Sequence, residues 1–166
     1  MSGQKTKLLF FTVVFTFSFL LITWNRALTE AYWNYMGWKP CAQCHEVIAK
    51  NWAATKHAKA FDSLKKSGQE NVPGCVKCHV TGYEKDGGFI DYELTPEMVG
   101  IQCEECHGEG KKHVTEGGSA KTIRRSADSD MCRRCHTPSQ DRNFDYQKKI
   151  GLVHGVGNGG KYMEGR

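Results

Sequence analysis

The chain has 166 residues, 39% of them hydrophobic and 25% charged, with 18 glycines and a formal net charge of +5. Much of the apolar fraction lies in the first two dozen residues and the rest is poor in Leu, Ile and Val, which excludes an ordinary, self-sufficient aliphatic core. The positive charge comes without stacking platforms or a known binding module, so nucleic acid is not an expected partner; no phosphate loop or nucleophile–base pair is visible either.

Lys5 and Lys7 precede an uncharged run, 8–24, rich in Phe, Leu and Val and closed by Asn25 and Arg26. At about 1.5 Å per residue this run and its flanks reach across a hydrocarbon layer of roughly 30 Å. We read it as an uncleaved, single-pass transmembrane helix in the inner (cytoplasmic) membrane. The rival is a signal peptide cleaved near Thr29-Glu30-Ala31, but the run is long for one. Trp24, Tyr32, Trp33, Tyr35 and Trp38 also cluster where an interfacial belt would sit. Residues 1–7 are then cytoplasmic, 25–40 form an interfacial linker, and everything after Trp24 lies on the outer, periplasmic side.

Further along, 46–66 lacks Gly and Pro, is rich in Ala and Lys, and reads as one or two helices ending near Gly68. Pro73-Gly74 marks a break. Tyr83 to Tyr92, with Asp86-Gly87-Gly88 inside, predicts a small hairpin. Thr95-Pro96-Glu97 predicts a helix start, with Thr95 as N-cap and the helix running into Cys103 until Gly108 and Gly110 stop it. Asp128 to Asp130 would cap a short last helix, and the glycine-rich tail, 155–166, is expected to be irregular.

All eight cysteines fall in one repeated pattern: Cys41-Ala-Gln-Cys44-His45, Cys75-Val-Lys-Cys78-His79, Cys103-Glu-Glu-Cys106-His107 and Cys132-Arg-Arg-Cys135-His136. The spacings of 34, 28 and 29 residues are too uneven for a solenoid. A zinc knuckle or a disulfide framework would also use paired cysteines, yet neither needs histidine directly after each second cysteine. The attachment of c-type haem does: two thiols form thioethers to the porphyrin and the histidine binds iron. Four covalent haem c groups would supply the missing apolar interior, so the polypeptide should not fold without them.

Other segments carry a resemblance. Asn51-Trp52 through His57-Ala58-Lys59-Ala60, Cys78-His79-Val80-Thr81-Gly82-Tyr83 with Gly87-Gly88-Phe89, and 100–110 with His113 are similar to the tetrahaem cytochrome c-554 family. So are Cys135-His136-Thr137-Pro138, Asn143-Phe144-Asp145-Tyr146 and His154. The resemblance covers roughly residues 38 to 155 and implies closely packed haem pairs and electron transfer. The expected fold class is thus mainly α with much irregular loop. It is a multihaem cytochrome c fold, 41–154, wrapped around four haems and preceded by one N-terminal transmembrane helix.

Of seven histidines, His45, His79, His107 and His136 are the proximal ligands, which leaves His57, His113 and His154 for distal faces. The resemblance implies that His57 serves the third haem (His107) and His113 the fourth (His136), with His154 the best candidate for the first (His45). It also implies an open, five-coordinate second haem (His79). The family's distal histidine between the second and third motifs is missing here; Met98 lies there instead, as a core residue or an alternative ligand. Bis-histidine ligation keeps potentials low.

The expected function is that of a membrane-anchored electron relay between a membrane or periplasmic donor and a periplasmic or extracytoplasmic acceptor. Redox proteins in or at the membrane are its expected partners. Lys111-Lys112, Arg124-Arg125, Arg133-Arg134 and Lys148-Lys149 could pair with propionates or face an acidic docking partner, or simply be solvated. One alternative is a quinol dehydrogenase subunit of the NapC/NirT type, for which no quinol pocket or proton acceptor is evident; another is a subunit of an extracellular cytochrome filament. Catalysis is not expected, apart from small-ligand chemistry at one five-coordinate haem.

Overall fold

The computed structural model describes residues 33–155, together with 14–16 and 18. The chain divides into two units, 1–33 and 34–166. In the first, the described residues 14–16 and 18 are helical; the predicted membrane run, 8–24, otherwise lies outside the described residues, as does the tail after Gly155. Among the described residues no helix is long and apolar enough to cross a membrane.

The second unit is a set of short helices joined by turns: α1 (Trp38–Ala42), α2 (Glu46–Ala53), α3 (Ala60–Ser67), α4 (Pro73–Val76), α5 (Cys103–His107), α6 (Lys111–Thr115), α7 (Ser129–Arg133) and α8 (Tyr146–Lys149). Single 3-10 turns stand at Pro96–Met98, Ala120–Thr122 and Ile150–Leu152. The mainly helical, loop-rich architecture matches the expectation.

The Ala- and Lys-rich stretch forms two helices. α2 buries Ala49 and Trp52, and α3 buries Phe61 and Leu64, each pair one turn apart on a single face. Between them Thr55 closes the chain on itself: its hydroxyl donates to the Trp52 carbonyl at 2.6 Å and accepts from the Ala58 amide. His57 stands in that break. Gly68 ends α3 in the left-handed conformation at φ 66°, and the Gln69 amide donates back to the Leu64 carbonyl.

The core is small. Phe61, Leu64, Val76, Val80, Phe89 and Met98 form one buried cluster, with Tyr35, Tyr83 and Val99 packed at its edge. Burying each such side chain contributes roughly 1.5–3 kcal/mol, so six of them make a modest anchor for a unit this long.

Three local expectations are corrected. Pro73-Gly74 opens α4, with Pro73 at its first position, because proline's fixed φ suits a helix start as well as it breaks a helix interior. Tyr83 to Tyr92 is not a hairpin. Gly82 and Glu84 take positive φ, and the bonds Lys85 N–H to Gly82 and Gly88 N–H to Lys85 coil the segment into successive turns. The pairing goes elsewhere: Val80 bridges Val99 antiparallel, with Thr81 N–H donating to Met98 and Gly100 N–H to His79. Thr95 holds the N-cap position before Pro96, but its side chain makes no cap bond. Its hydroxyl accepts from the Ile90 amide and donates to the Asp91 carbonyl, and the helix it was to start is one 3-10 turn that ends in extended Val99.

Two further signals are met. Gly108, at φ 82°, terminates α5, and the Asp128 carboxylate caps α7 by accepting from the Met131 amide at 2.8 Å.

Candidate functional site

The third Cys-x-x-Cys-His segment lies in α5; the first, second and fourth begin in α1, α4 and α7 and run into the turns that follow. A turn of helix brings two cysteines three residues apart onto one side and aims the following histidine along it. What places these turns against one another is a set of buried polar fasteners.

The main fastener is Glu104, 1% exposed, one of the two residues between the third pair of cysteines. Its carboxylate accepts from the amides of Met36 (3.0 Å to each oxygen), Gly37 (2.8 Å) and Gly110 (2.7 Å). The entry to α1 and the entry to α6 are thereby tied to α5. Burial raises the Glu104 pKa above the usual carboxylate range, opposed by the amides of Gly110, Met36 and Gly37. Beside it, the Gln102 side chain accepts from Trp38 N–H at 2.7 Å and donates to the carbonyls of Glu97 and Val99. The Gln102 amide donates to the buried hydroxyl of Thr81, which donates to the Gly100 carbonyl.

The motifs meet through sulfurs and one ion pair. The Cys103 thiol donates to Cys41, which lowers the Cys41 pKa and, with burial, raises that of Cys103, so the first motif meets the third. The third meets the fourth where Arg134 makes an ion pair with Glu105 at 3.6 Å; burial pushes Cys106 up to about 11, and the charge of Cys132 adds to it. The second meets the fourth at Cys78 and Cys135, whose Cα atoms are 5.5 Å apart and whose sulfurs are joined as a disulfide. A sulfur cannot be in a disulfide and a thioether at once, so haem attachment at these two positions requires that bond reduced.

The histidines are oriented by their Nδ1 atoms. Nδ1 of His79 lies 2.7 Å from the Ala60 carbonyl, that of His107 2.7 Å from the Arg124 carbonyl, and that of His113 3.0 Å from the Ser119 carbonyl. A carbonyl oxygen accepts and never donates, so each Nδ1 carries the proton and each Nε2 presents a lone pair. In His136 the partner is the Asp141 carboxylate at 2.9 Å, which fixes the same tautomer.

Two pairs of rings face each other. His107 and His154 are 6.0 Å apart between ring centres and 11° from parallel; His57 and His136 are 6.0 Å apart and tilted by 56°. An iron held between two imidazoles needs two bonds of about 2 Å plus about 1 Å from each nitrogen to its ring centre, roughly 6 Å in all. Burial, then the facing ring, lowers the pKa of His57 and of His154, which keeps both imidazoles neutral as ligation requires. Among the described residues no group of three or more His, Cys, Asp or Glu could hold a bare metal ion. Four of the seven histidines stand in twos, the number a porphyrin leaves for the protein.

The ring pairs differ from the pairing that the resemblance implies. His57 faces His136 instead of His107, and His154 faces His107 instead of His45. His113 belongs to α6, which the Glu104 carboxylate ties to the entry of α1, the helix carrying Cys41. Met98 is 2% exposed inside the apolar cluster, which gives it the core role of the two considered.

Sequence reading missed Glu104, Gln102 and Asp141. Glu104 and Gln102 carried no periodicity to betray burial, and Asp141 follows His136 at a spacing of five that signals nothing by itself. A cavity of about 720 Å³ beside His107 is bordered by Lys111, Lys112, Lys121 and Arg124. That gathers some of the basic residues on one wall, whereas Lys148 lies exposed and pairs with Asp145.

A family profile described as cytochrome c554 and c-prime matches residues 40–108. Cytochrome c-554 of Nitrosomonas europaea is 34% identical over 140 residues, which span 72% of this chain and 57% of that protein. The solved structure of reduced cytochrome c554 from the same organism aligns over 75% of this chain and 85% of its own, with a TM-score of 0.54 and 25% identity. The profile match spans the first three motifs, the chain spans 57% of the curated relative's length, and sequence and fold alike make it similar to the cytochrome c554 family.

Proposed function

We propose that this protein is a membrane-anchored tetrahaem c-type cytochrome that passes electrons between a donor in or at the inner membrane and a periplasmic acceptor. The observation that carries the reading is the pair of facing histidine couples, each joining one motif histidine to one histidine from elsewhere in the chain. The relative's name supports it, and the run 8–24 provides the anchor that holds the haem domain on the outer face.

Haem c, when bound, supplies a one-electron iron couple of low potential under bis-histidine ligation. The chain's own residues supply the rest. Cys41, Cys44, Cys75, Cys78, Cys103, Cys106, Cys132 and Cys135 make the covalent attachments, with His45, His79, His107 and His136 as proximal ligands. His154 and His57 would supply the second histidine for the haems of the third and fourth motifs, and His113, on the helix tied to the entry of α1, would supply that for the first, leaving the second haem with His79 alone. The sulfur contacts and the ion pair order the motifs first–third–fourth–second, so each transfer is a short step between neighbours. Lys111, Lys112, Lys121 and Arg124 neutralise propionates beside His107.

The test is a pyridine haemochrome count with a spectroelectrochemical titration of protein purified from membranes. Four covalent haems per chain, titrating at low potential, are expected; fewer than four, or potentials well above the quinone range, overturn the reading. Anaerobic addition of a quinol analogue should not reduce the purified protein directly.

A further inference from the structure

Two of the three proximal histidines with a described Nδ1 partner donate to a neutral backbone carbonyl: His79 to Ala60 and His107 to Arg124. His136 donates to a carboxylate, Asp141 Oδ2, at 2.9 Å. The difference is built into the loop that follows the fourth motif. Asp141 N–H donates to the Thr137 carbonyl at 2.8 Å and Phe144 N–H to the Asp141 carbonyl, so the chain folds back and returns the carboxylate to the histidine. The Phe144 ring lies on the His136 imidazole, 4.5 Å between centres and 18° from parallel, and fixes its plane.

A carboxylate accepting the Nδ1 proton draws it partway off and leaves the imidazole more anionic. A more anionic imidazole is a stronger donor to iron and favours the ferric over the ferrous state, whereas a carbonyl polarises the ring less. Partial exposure of the pair, about a third for each side chain, weakens the effect but leaves the hydrogen bond and its sign intact.

We infer that Asp141 is a positioning residue that acts through His136 to make the fourth haem site more reducing than the second and third. In the order set by these contacts between motifs this site lies between the third and second motifs. Electrons crossing it meet an uphill step inside the chain, so that charge rests on either side of it and not upon it. The inference rests on the haem reading above.

The test is a spectroelectrochemical titration of Asp141→Asn in the full-length, haem-loaded protein. Asparagine keeps an acceptor oxygen and removes the charge. One component should rise by roughly tenfold or more in its reduction equilibrium, about 59 mV for one electron. It should be the component whose low-spin EPR signal His57→Ala abolishes. Asp141→Ser provides a second variant if the first fails to retain four haems, and should raise the same component. Asp130→Asn, which removes an exposed charge from α7, serves as the control. Unchanged midpoints in whichever variant keeps four haems, a uniform rise of all components, or an equal rise in Asp130→Asn each overturn the inference. Wild-type protein with fewer than four covalent haems would instead sink the reading beneath it.

Discussion

The imidazoles of His107 and His154 lie 6.0 Å apart between ring centres and 11° from parallel, one from the third motif and one from near the end of the described chain, 47 residues on. Ligation through both rings makes a specific demand. His154→Ala should convert one low-spin ferric signal to high spin and leave the other low-spin signals in place. His57→Ala should do the same to a different one. Low-temperature EPR reads both, and an unchanged spectrum in either variant refutes that pair. The couples should also differ in wild type, because near-parallel rings at His107 and strongly tilted rings at His136 split the iron d orbitals unequally.

Gly100 holds its segment between two histidines: its amide donates to the His79 carbonyl, and that of Ile101 to His57. At φ +82° it sits where only glycine is comfortable, and a Cβ there would lie 2.5 Å from the Ala58 carbonyl oxygen. Gly100→Ala should therefore lower stability by about 2 kcal/mol or more, read as a drop in thermal midpoint. The His57-dependent EPR signal should broaden with it.

These two positions show what could be read from the sequence and what could not. The sites of chemistry were legible because attachment fixes residue types at fixed local spacing, and α2, α3 and the Asp128 cap were legible for the same local reason. The distal pairing was not, since which histidine reaches which motif depends on long-range fastening by Glu104 and Gln102. The supposed hairpin failed on a similar point. Its turn residues were recognised, but Val80 and Thr81 found a better partner in Met98–Gly100, 17 or more residues away.

Met98 separates packing from ligation. It lies 2% exposed among Phe61, Leu64, Val76, Val80 and Phe89. Met98→Leu conserves volume and should cost less than about 1.5 kcal/mol, with all haem absorption bands and midpoints unchanged. Loss of a methionine-type charge-transfer band, or a fall in one potential, would assign it to iron instead.

Glu104 gives a prediction in pH. Its oxygens receive amides on both sides, so Glu104→Gln must turn an NH2 group towards at least one backbone donor and leave a buried clash of like groups. The expected loss is about 2–4 kcal/mol, measured by urea unfolding followed by circular dichroism. The sign of the pH dependence follows from the raised pKa of the folded state. A carboxyl that holds its proton more tightly folded than unfolded stabilises the fold fully below its unfolded value of about 4.3 and loses that contribution as pH rises towards the folded value. Wild type should therefore lose stability relative to Glu104→Gln as pH climbs from about 4 through the carboxylate range, with the gap between them narrowing. A gap that widens over that window would mean that the amides of Met36, Gly37 and Gly110 outweigh burial and hold the carboxylate ionised.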